Sequence, residues 1–338
     1  MSGNNVEIQC SSSAIQITLT SVQHVHISGV SFTGCGSSQL GTNGRSVYLE
    51  NVSFLESGGI TVRNISQGVN ITDMVLSVNN YHITVSINDV SNGSVHLNNV
   101  VTDAGMIVGA INKSIHFYNV EIRAIHYYYT PITLQNANSI SLENMVLSRT
   151  STVTILSARQ IVQLSNVSIS RSSTIRISSA GQMVQWSNVS ISRGNTITIS
   201  SAGQLNMEDC ILQYIQSTSP ALILSHISMV TIARCDFSSN VYSLVNSYYY
   251  SSSRGGTIYI ESSVLNIFNS SFHNNTVYQN GGAIYAVQTN VTINRSIFRN
   301  NSANRYRYWY RRYSSRYSYP YGGAIYMSGT NKSLMHCN

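Results

Sequence analysis

Along most of the chain, apolar and variable residues alternate in one eight-residue phrase: apolar, any, apolar, any, a corner residue, apolar, any, apolar. Its first apolar position falls at Val25, Val47, Val69, Val95, Ile115, Ile140, Val162, Val184, Leu205, Val230, Leu265 and Val291, in steps of 22, 22, 26, 20, 25, 22, 22, 21, 25, 35 and 26 residues. Alternation puts one face of a strand against a core, and a break at the fifth position lets a second strand leave in a new direction. A further alternating pair precedes most phrases, at Ile60/Val62, Ile83/Val85, Ile132/Leu134, Val153/Ile155, Ile175/Ile177, Ile197/Ile199, Leu222/Leu224 and Ile258/Ile260. Each repeat therefore predicts about three short strands and no helix.

A repeat of this length cannot bury its own apolar face, but stacking each coil on the last closes a core and pairs every strand in parallel with its counterpart. Crossovers between parallel strands are overwhelmingly right-handed. The expected fold is all-β: a right-handed, single-stranded parallel β-helix, a pectin-lyase-like solenoid of about 12 to 13 coils, with residues 1–338 as a single domain. The corner position supports this independently, because its occupants do not define the repeat. They are Gly29, Asn51, Asp73, Asn99, Asn119, Asn144, Asn166, Asn188, Asp209, Arg234, Asn269 and Arg295, and seven of the twelve are Asn. Asn tolerates left-handed backbone angles and can bond the same amide one coil away, which predicts a ladder, taken here as buried. Residues 164–185 and 186–207 agree at 15 of 22 positions, the mark of a duplicated coil.

Composition sharpens the picture only a little. With 9% charged and 42% apolar residues and three Pro, the 338 residues hold ample core for one elongated domain. No apolar run approaches the roughly 20 residues of a membrane-spanning helix. Val6 and Ile8 already alternate as a strand, and a thirteenth phrase starts at Leu334 and stops at Asn338, so the chain reads as a fragment lacking both caps.

Cys210 and Cys235 share the sixth position of consecutive phrases, which stacks them, and Cys10 and Cys35 repeat the 25-residue spacing. Two such pairs predict disulfides Cys210–Cys235 and Cys10–Cys35 and an oxidising compartment. Among thirteen Asn-X-Ser/Thr sequons, Asn92, Asn112, Asn274, Asn290, Asn300 and Asn331 fall in turns and are the expected glycosylation sites. Asn51, Asn166, Asn188 and Asn269 are set aside as ladder residues.

Gly281-Gly282-Ala283-Ile284 recurs as Gly322-Gly323-Ala324-Ile325, with Gly255-Gly256-Thr257-Ile258 a near copy, and Phe-x-x-Asn recurs at Phe237/Asn240, Phe272/Asn275 and Phe298/Asn301. This pairing resembles the GGA(I/L/V) and FxxN repeats of chlamydial polymorphic outer membrane proteins and of related right-handed β-helix repeat proteins of sponges and other animals. The resemblance covers about residues 230–338 and implies an extracellular or cell-surface, adhesin-like protein.

Between each FxxN and the next Gly-Gly lies a loop of 14 residues (241–254), then 5 (276–280), then 20 (302–321). Variable loops on a rigid frame are where binding resides. The longest holds Tyr306, Arg307, Tyr308, Trp309, Tyr310, Arg311, Arg312, Tyr313, Arg316 and Tyr317, and the first holds Tyr242 and Tyr248, Tyr249 and Tyr250. Tyr, Trp and Arg amid Ser make binding surfaces, because stiff amphipathic rings and forked donors give much contact for little entropy lost. Five of the net seven positive charges lie in the longest loop. Arg149, Arg171 and Arg193 add a like-charged column at 22-residue steps, which favours an anion across it.

Enzyme chemistry is thinly represented. β-Helix enzymes acting on pectin use clustered carboxylates, and among only twelve acidic residues the candidate cluster is Glu208, Asp209 and Asp236. His96 and His116 occupy the outward second position of adjacent phrases without a carboxylate, so no metal or cofactor is expected. The sequence reading is a non-catalytic surface or secreted β-helix that binds a glycan, acidic by its charge, or a protein through its Tyr/Arg loops, with no nucleic-acid partner. The alternatives are a polysaccharide-degrading lyase or glycoside hydrolase and a purely structural extracellular rod.

Overall fold

The computed structural model describes residues 6–9, 18–78, 84–123, 131–149, 152–171, 174–178, 180–242, 255–278, 280–304, 307–310, 314–317, 321–329 and 331–335. All twelve phrase starts lie on strands, and the described residues include no helix. The chain is an all-β parallel solenoid of about ten turns, slightly fewer than expected. It divides into two compact units, Met1–Ser172 and Ser173–Asn338.

In the first unit the phrase strands His24–Thr33, Ser46–Ser57, Gly68–Val78, Ser94–Thr102, Ser114–Arg123, Ser139–Ser148 and Ile161–Ser170 stack in parallel. Their register runs Val25↔Val47↔Val69↔Val95↔Ile115↔Ile140↔Val162, so the repeat read from sequence is the pairing register. A second stack, from Ser38–Thr42 to Thr152–Leu156, closes the core from another side. Here the inward pair opposite Ile60 and Val62 is Val85 and Ile87, two residues beyond the expected Ile83/Val85. Met106 and Val108, a pair absent from those read in the sequence, continue the column.

In the second unit Val184, Leu205, Val230, Leu265 and Val291 pair in order. Four two-residue strands, Gln216–Ser217, Val241–Tyr242, Thr276–Val277 and Ser302–Ala303, form a further small parallel sheet. The first residues of all three segments expected to be loops are therefore structural. Tyr242 is buried against Val277 instead of being displayed.

Every one of the twelve corner residues has positive φ, from 48° at Asn269 to 67° at Gly29, and Arg234 and Arg295 adopt it as readily as Asn. A ladder forms along part of this column, with Asn99 donating to Asp73 Oδ1 at 2.8 Å, Asn119 to Asn99 at 2.6 Å and Asn166 to Asn144 at 3.0 Å. It faces solvent, however, which corrects the expectation that it is buried. A side chain at a left-handed corner of a convex turn points away from the core. The burial that set Asn51, Asn166, Asn188 and Asn269 apart from the other sequons is absent: all four are exposed, as are Asn92, Asn112, Asn274, Asn290, Asn300 and Asn331.

The buried ladder is the one carried by FxxN. Asn240 Nδ2 donates to Asn275 Oδ1 at 3.0 Å and Asn275 Nδ2 to Asn301 Oδ1 at 2.9 Å. The same amides bind backbone carbonyls of Leu212 and Phe237 at 3.0 and 2.8 Å. Beneath them Phe237, Phe272 and Phe298 stack with ring centroids 4.8 Å apart. The Gly-Gly pair has an equally local cause. Gly281 sits at φ +66°, and a Cβ on Gly282 would lie 2.4 Å from the Gly323 carbonyl oxygen, so neighbouring backbones approach too closely for any side chain.

Candidate functional site

The longest Tyr/Arg segment has a defined backbone core. Arg307–Tyr310 and Ser314–Tyr317 form an antiparallel hairpin with register Arg307↔Tyr317, Tyr308↔Arg316, Trp309↔Ser315 and Tyr310↔Ser314. Tyr306, Arg311, Arg312 and Tyr313 of this segment, and Tyr248, Tyr249 and Tyr250 of the other, lie outside the described residues. Both segments leave the small parallel sheet from strands in register: Val241↔Thr276 and Tyr242↔Val277, then Thr276↔Ser302 and Val277↔Ala303. The far end of the longer one is tied down where Asn280 Oδ1 accepts the Tyr321 amide at 2.7 Å.

Directly after each Gly-Gly comes a tyrosine column that the sequence reading missed. Tyr259, Tyr285 and Tyr326 pair in register and stack at 5.6 and 4.8 Å between ring centroids. The Tyr259 hydroxyl donates to Glu261 Oε2 at 2.6 Å. These residues alternate with inward Ile and so point outward, yet Tyr259 is only 6% and Tyr285 8% exposed. The column's sequence signal is the Ile-Tyr that follows Gly-Gly-x in three successive copies, at 258–259, 284–285 and 325–326.

Arg149, Arg171 and Arg193 are exposed and occupy a second left-handed corner, at φ 57°, 56° and 54°. Arg149 and Arg171 belong to the first unit and Arg193 to the second. Among the described residues none of the three has an ion pair with a carboxylate.

The acidic cluster is not arranged for catalysis. The Arg234 guanidinium binds Asp209 through Nε at 2.8 Å and Nη2 at 3.0 Å, and its Nη2 also reaches Glu208. These bonds hold the Asp209 carboxyl below its ordinary value and raise the guanidinium's. Asp236 faces other partners: it accepts from Ser271 and Ser238 at 2.6 and 2.9 Å and lies 3.2 Å from His273 Nδ1. Retaining or inverting hydrolysis needs one carboxyl free to give up a proton and another free to attack or activate water. Here two are neutralised by one Arg and the third is engaged elsewhere.

The thiols of Cys210 and Cys235 are free, which corrects the expected disulfide. Cys210 and Cys235 sit just after the left-handed corners Asp209 and Arg234 of adjacent coils, between paired parallel strands, so their Cβ atoms keep the coil spacing of about 4.8 Å, beyond the roughly 3.8 Å a disulfide favours. The sulfur has another role. Cys210 N–H donates to Cys235 Sγ at 3.4 Å, Cys235 N–H to Ser270 Oγ at 3.1 Å and Ser270 N–H to Ser296 Oγ at 3.2 Å. Cys235, Ser270 and Ser296 each return their own proton to the carbonyl two residues back, at 3.3, 2.8 and 3.0 Å. Hydrogen bonding with Cys210 raises the Cys235 thiol, and the same contact lowers Cys210. Cys235→Ser is thus expected to cost less than ~1 kcal/mol, whereas Cys235→Ala orphans a buried amide at ~1–3 kcal/mol; thermal melts of the two variants check this. Peptide mapping without reductant should recover both thiols unlinked. Cys35 is disulfide-bonded, and its expected partner Cys10 lies outside the described residues.

His96 and His116 pair in register on adjacent strands, their rings stacked at 5.0 Å and within 2° of parallel. Partial burial, and secondarily the His116 charge, lower the His96 pKa and favour its neutral form.

Residues 269–287, which contain Phe272, Asn275 and Gly281 to Ile284, match the Chlamydia polymorphic membrane protein repeat. The chain is a parallel β-solenoid carrying this repeat. Neither the curated proteins nor the solved structures gave a match to it. No helix among the described residues is long and apolar enough to cross a membrane.

Proposed function

We propose that this chain is a non-catalytic β-helix presented at a cell surface or secreted, and that the segments 243–254 and 305–320 bind a glycan or protein partner. The match to a repeat of membrane proteins supports the location, and the disulfide at Cys35 fits an oxidising compartment. The observation that carries the binding role is positional. Both segments follow in-register strands of one small sheet in the second unit, so they start from neighbouring positions on successive repeats. Stiff aromatic anchors with Arg between them bind well per residue ordered. Five Arg without a carboxylate in 302–321 favour a partner bearing carboxylate or sulfate groups. The test is a glycan array with cell adhesion, comparing the intact chain with one in which 305–319 is excised. Binding by the intact chain that the excision abolishes is the expected result.

A further inference from the structure

We propose that a depression on the outward sheet face of the first unit, formed by His26, Tyr48, Glu50, Asn70 and Thr72, is a subsite for one ring of a neutral sugar. It is independent of the segments 243–254 and 305–320, which belong to the second unit. Two columns of outward residues meet there on three successive phrase strands: His26↔Tyr48↔Asn70 and, two residues further along each strand, Ser28↔Glu50↔Thr72. Coils about 4.8 Å apart and alternate residues about 6.6 Å apart make this a patch of roughly 10 by 7 Å, the footprint of one six-membered sugar ring with its hydroxyls. The side chains make it a hollow. Asn70 is short and stands between the rings of Tyr48 and, on the following coil, His96, which are two coils or about 9.6 Å apart. The hollow has a volume of about 430 Å³, within the range of small-molecule sites.

The chemistry of the lining selects the ligand. Tyr48 is 47% exposed, and His26 packs on it edge-to-face with ring centroids 6.3 Å apart, which props the ring in place. An exposed phenol ring offers an apolar face to the C–H side of a sugar and a hydroxyl at its tip. The polar groups around it are available. His26 Nε2 lies 3.9 Å from Glu50 Oε2, too far for a hydrogen bond, and among the described residues nothing donates to the Glu50 carboxylate. Thr72 Oγ1 reaches Asn70 Oδ1 only at 3.5 Å, and the Asn70 amide nitrogen has no acceptor among the described residues. The carboxylate accepts, the Asn70 amide donates, and the hydroxyls of Tyr48 and Thr72 do both, which matches a ring of neighbouring hydroxyls. A bare cation needs more oxygen ligands than one carboxylate supplies. The same carboxylate repels a uronate or a sulfate ester, and among the described residues no Lys or Arg lines the hollow to offset it, so the sugar is neutral.

The test uses the intact chain and saturation-transfer NMR, which registers weak ligands, with cellotetraose, maltotetraose and mannotetraose as neutral probes. At least one should bind, and excess tetragalacturonate should not displace it. Tyr48→Ala should weaken that binding about tenfold or more, through loss of the stacking face. Glu50→Gln keeps an acceptor without the charge, so it should retain the neutral probe and let tetragalacturonate compete for it. Excision of 305–319 should leave neutral binding unchanged, which separates this site from the Tyr/Arg segments. Tyr48 and Glu50 are both exposed, and melts of the two variants should match the parent, which keeps a loss of binding distinct from a loss of fold. Failure of all three neutral probes to bind, full binding by Tyr48→Ala, displacement by tetragalacturonate from the parent chain, or loss of neutral binding on excision would overturn the proposal.

Discussion

Asn275→Ala is expected to lower the stability of the second unit by ~3 kcal/mol or more, the largest single-residue effect outside the aromatic core. Asn275 is fully buried, and its side chain satisfies four groups at once. Its Oδ1 accepts the Asn240 amide at 3.1 Å and Asn240 Nδ2 at 3.0 Å, while its Nδ2 donates to the Phe237 carbonyl at 2.8 Å and to Asn301 Oδ1 at 2.9 Å. Deleting it strands those partners where water cannot reach, and each buried orphan costs ~1–3 kcal/mol. For a unit of this size, that is a fall in melting temperature of roughly 6–12 °C. The adjacent Asn274 provides the control. It is exposed at φ 57° and receives one bond of 3.3 Å from Asn300, so Asn274→Gly keeps the backbone conformation and should shift the melt by little. The exposed corner ladder should behave in between, since Asn166→Leu adds left-handed strain of ~1–2 kcal/mol without stranding a buried group. Equal melts for Asn275→Ala and Asn274→Gly would remove the ladder from its structural role.

These contrasts mark how far the sequence was legible. Strand pairing followed from alternation alone, because a parallel stack must align like with like: Val25 through Val162 pair in the order in which the phrase lists them. The left-handed corners were legible for the same reason, since Asn at one fixed position has few other uses. Polarity and direction were harder. An Asn at a corner and an Asn in FxxN look alike as letters, and only the turn geometry decides that Asn166 faces water while Asn275 caps the core. Cys210 and Cys235 were placed correctly one above the other, yet stacking is a statement about Cα atoms, and a disulfide depends on where the Cβ bonds aim. The carboxylates near Asp209 were legible as neighbours but not as partners of Arg234, because the corner column was read as a column of amides.

Excision of residues 305–319, which leaves three residues between Ala303 and Gly322, is expected to abolish partner binding while leaving the fold intact. The neighbouring repeat shows that a short connection closes. There Thr276–Val277 is followed by three residues before Gly281, and its backbone still pairs on both sides. Keeping Ser302–Ala303 matters, because Ala303 packs on the buried Val277 and Tyr242. The shortened chain should therefore melt as the parent does, since a surface connection contributes little beyond its closure entropy, which changes slowly with length. A second variant, with Arg305, Arg307, Arg311, Arg312 and Arg316 changed to Ser, keeps every ring and removes the charge. If binding depends on an anionic partner, both variants lose it, and the parent's binding weakens steeply with added salt. If the rings dominate, the Arg variant retains most of its affinity and only the excision abolishes it. Unchanged binding after excision would place the partner elsewhere, and an intact chain that binds nothing on cells or on the array would leave a structural role in place of a recognition role.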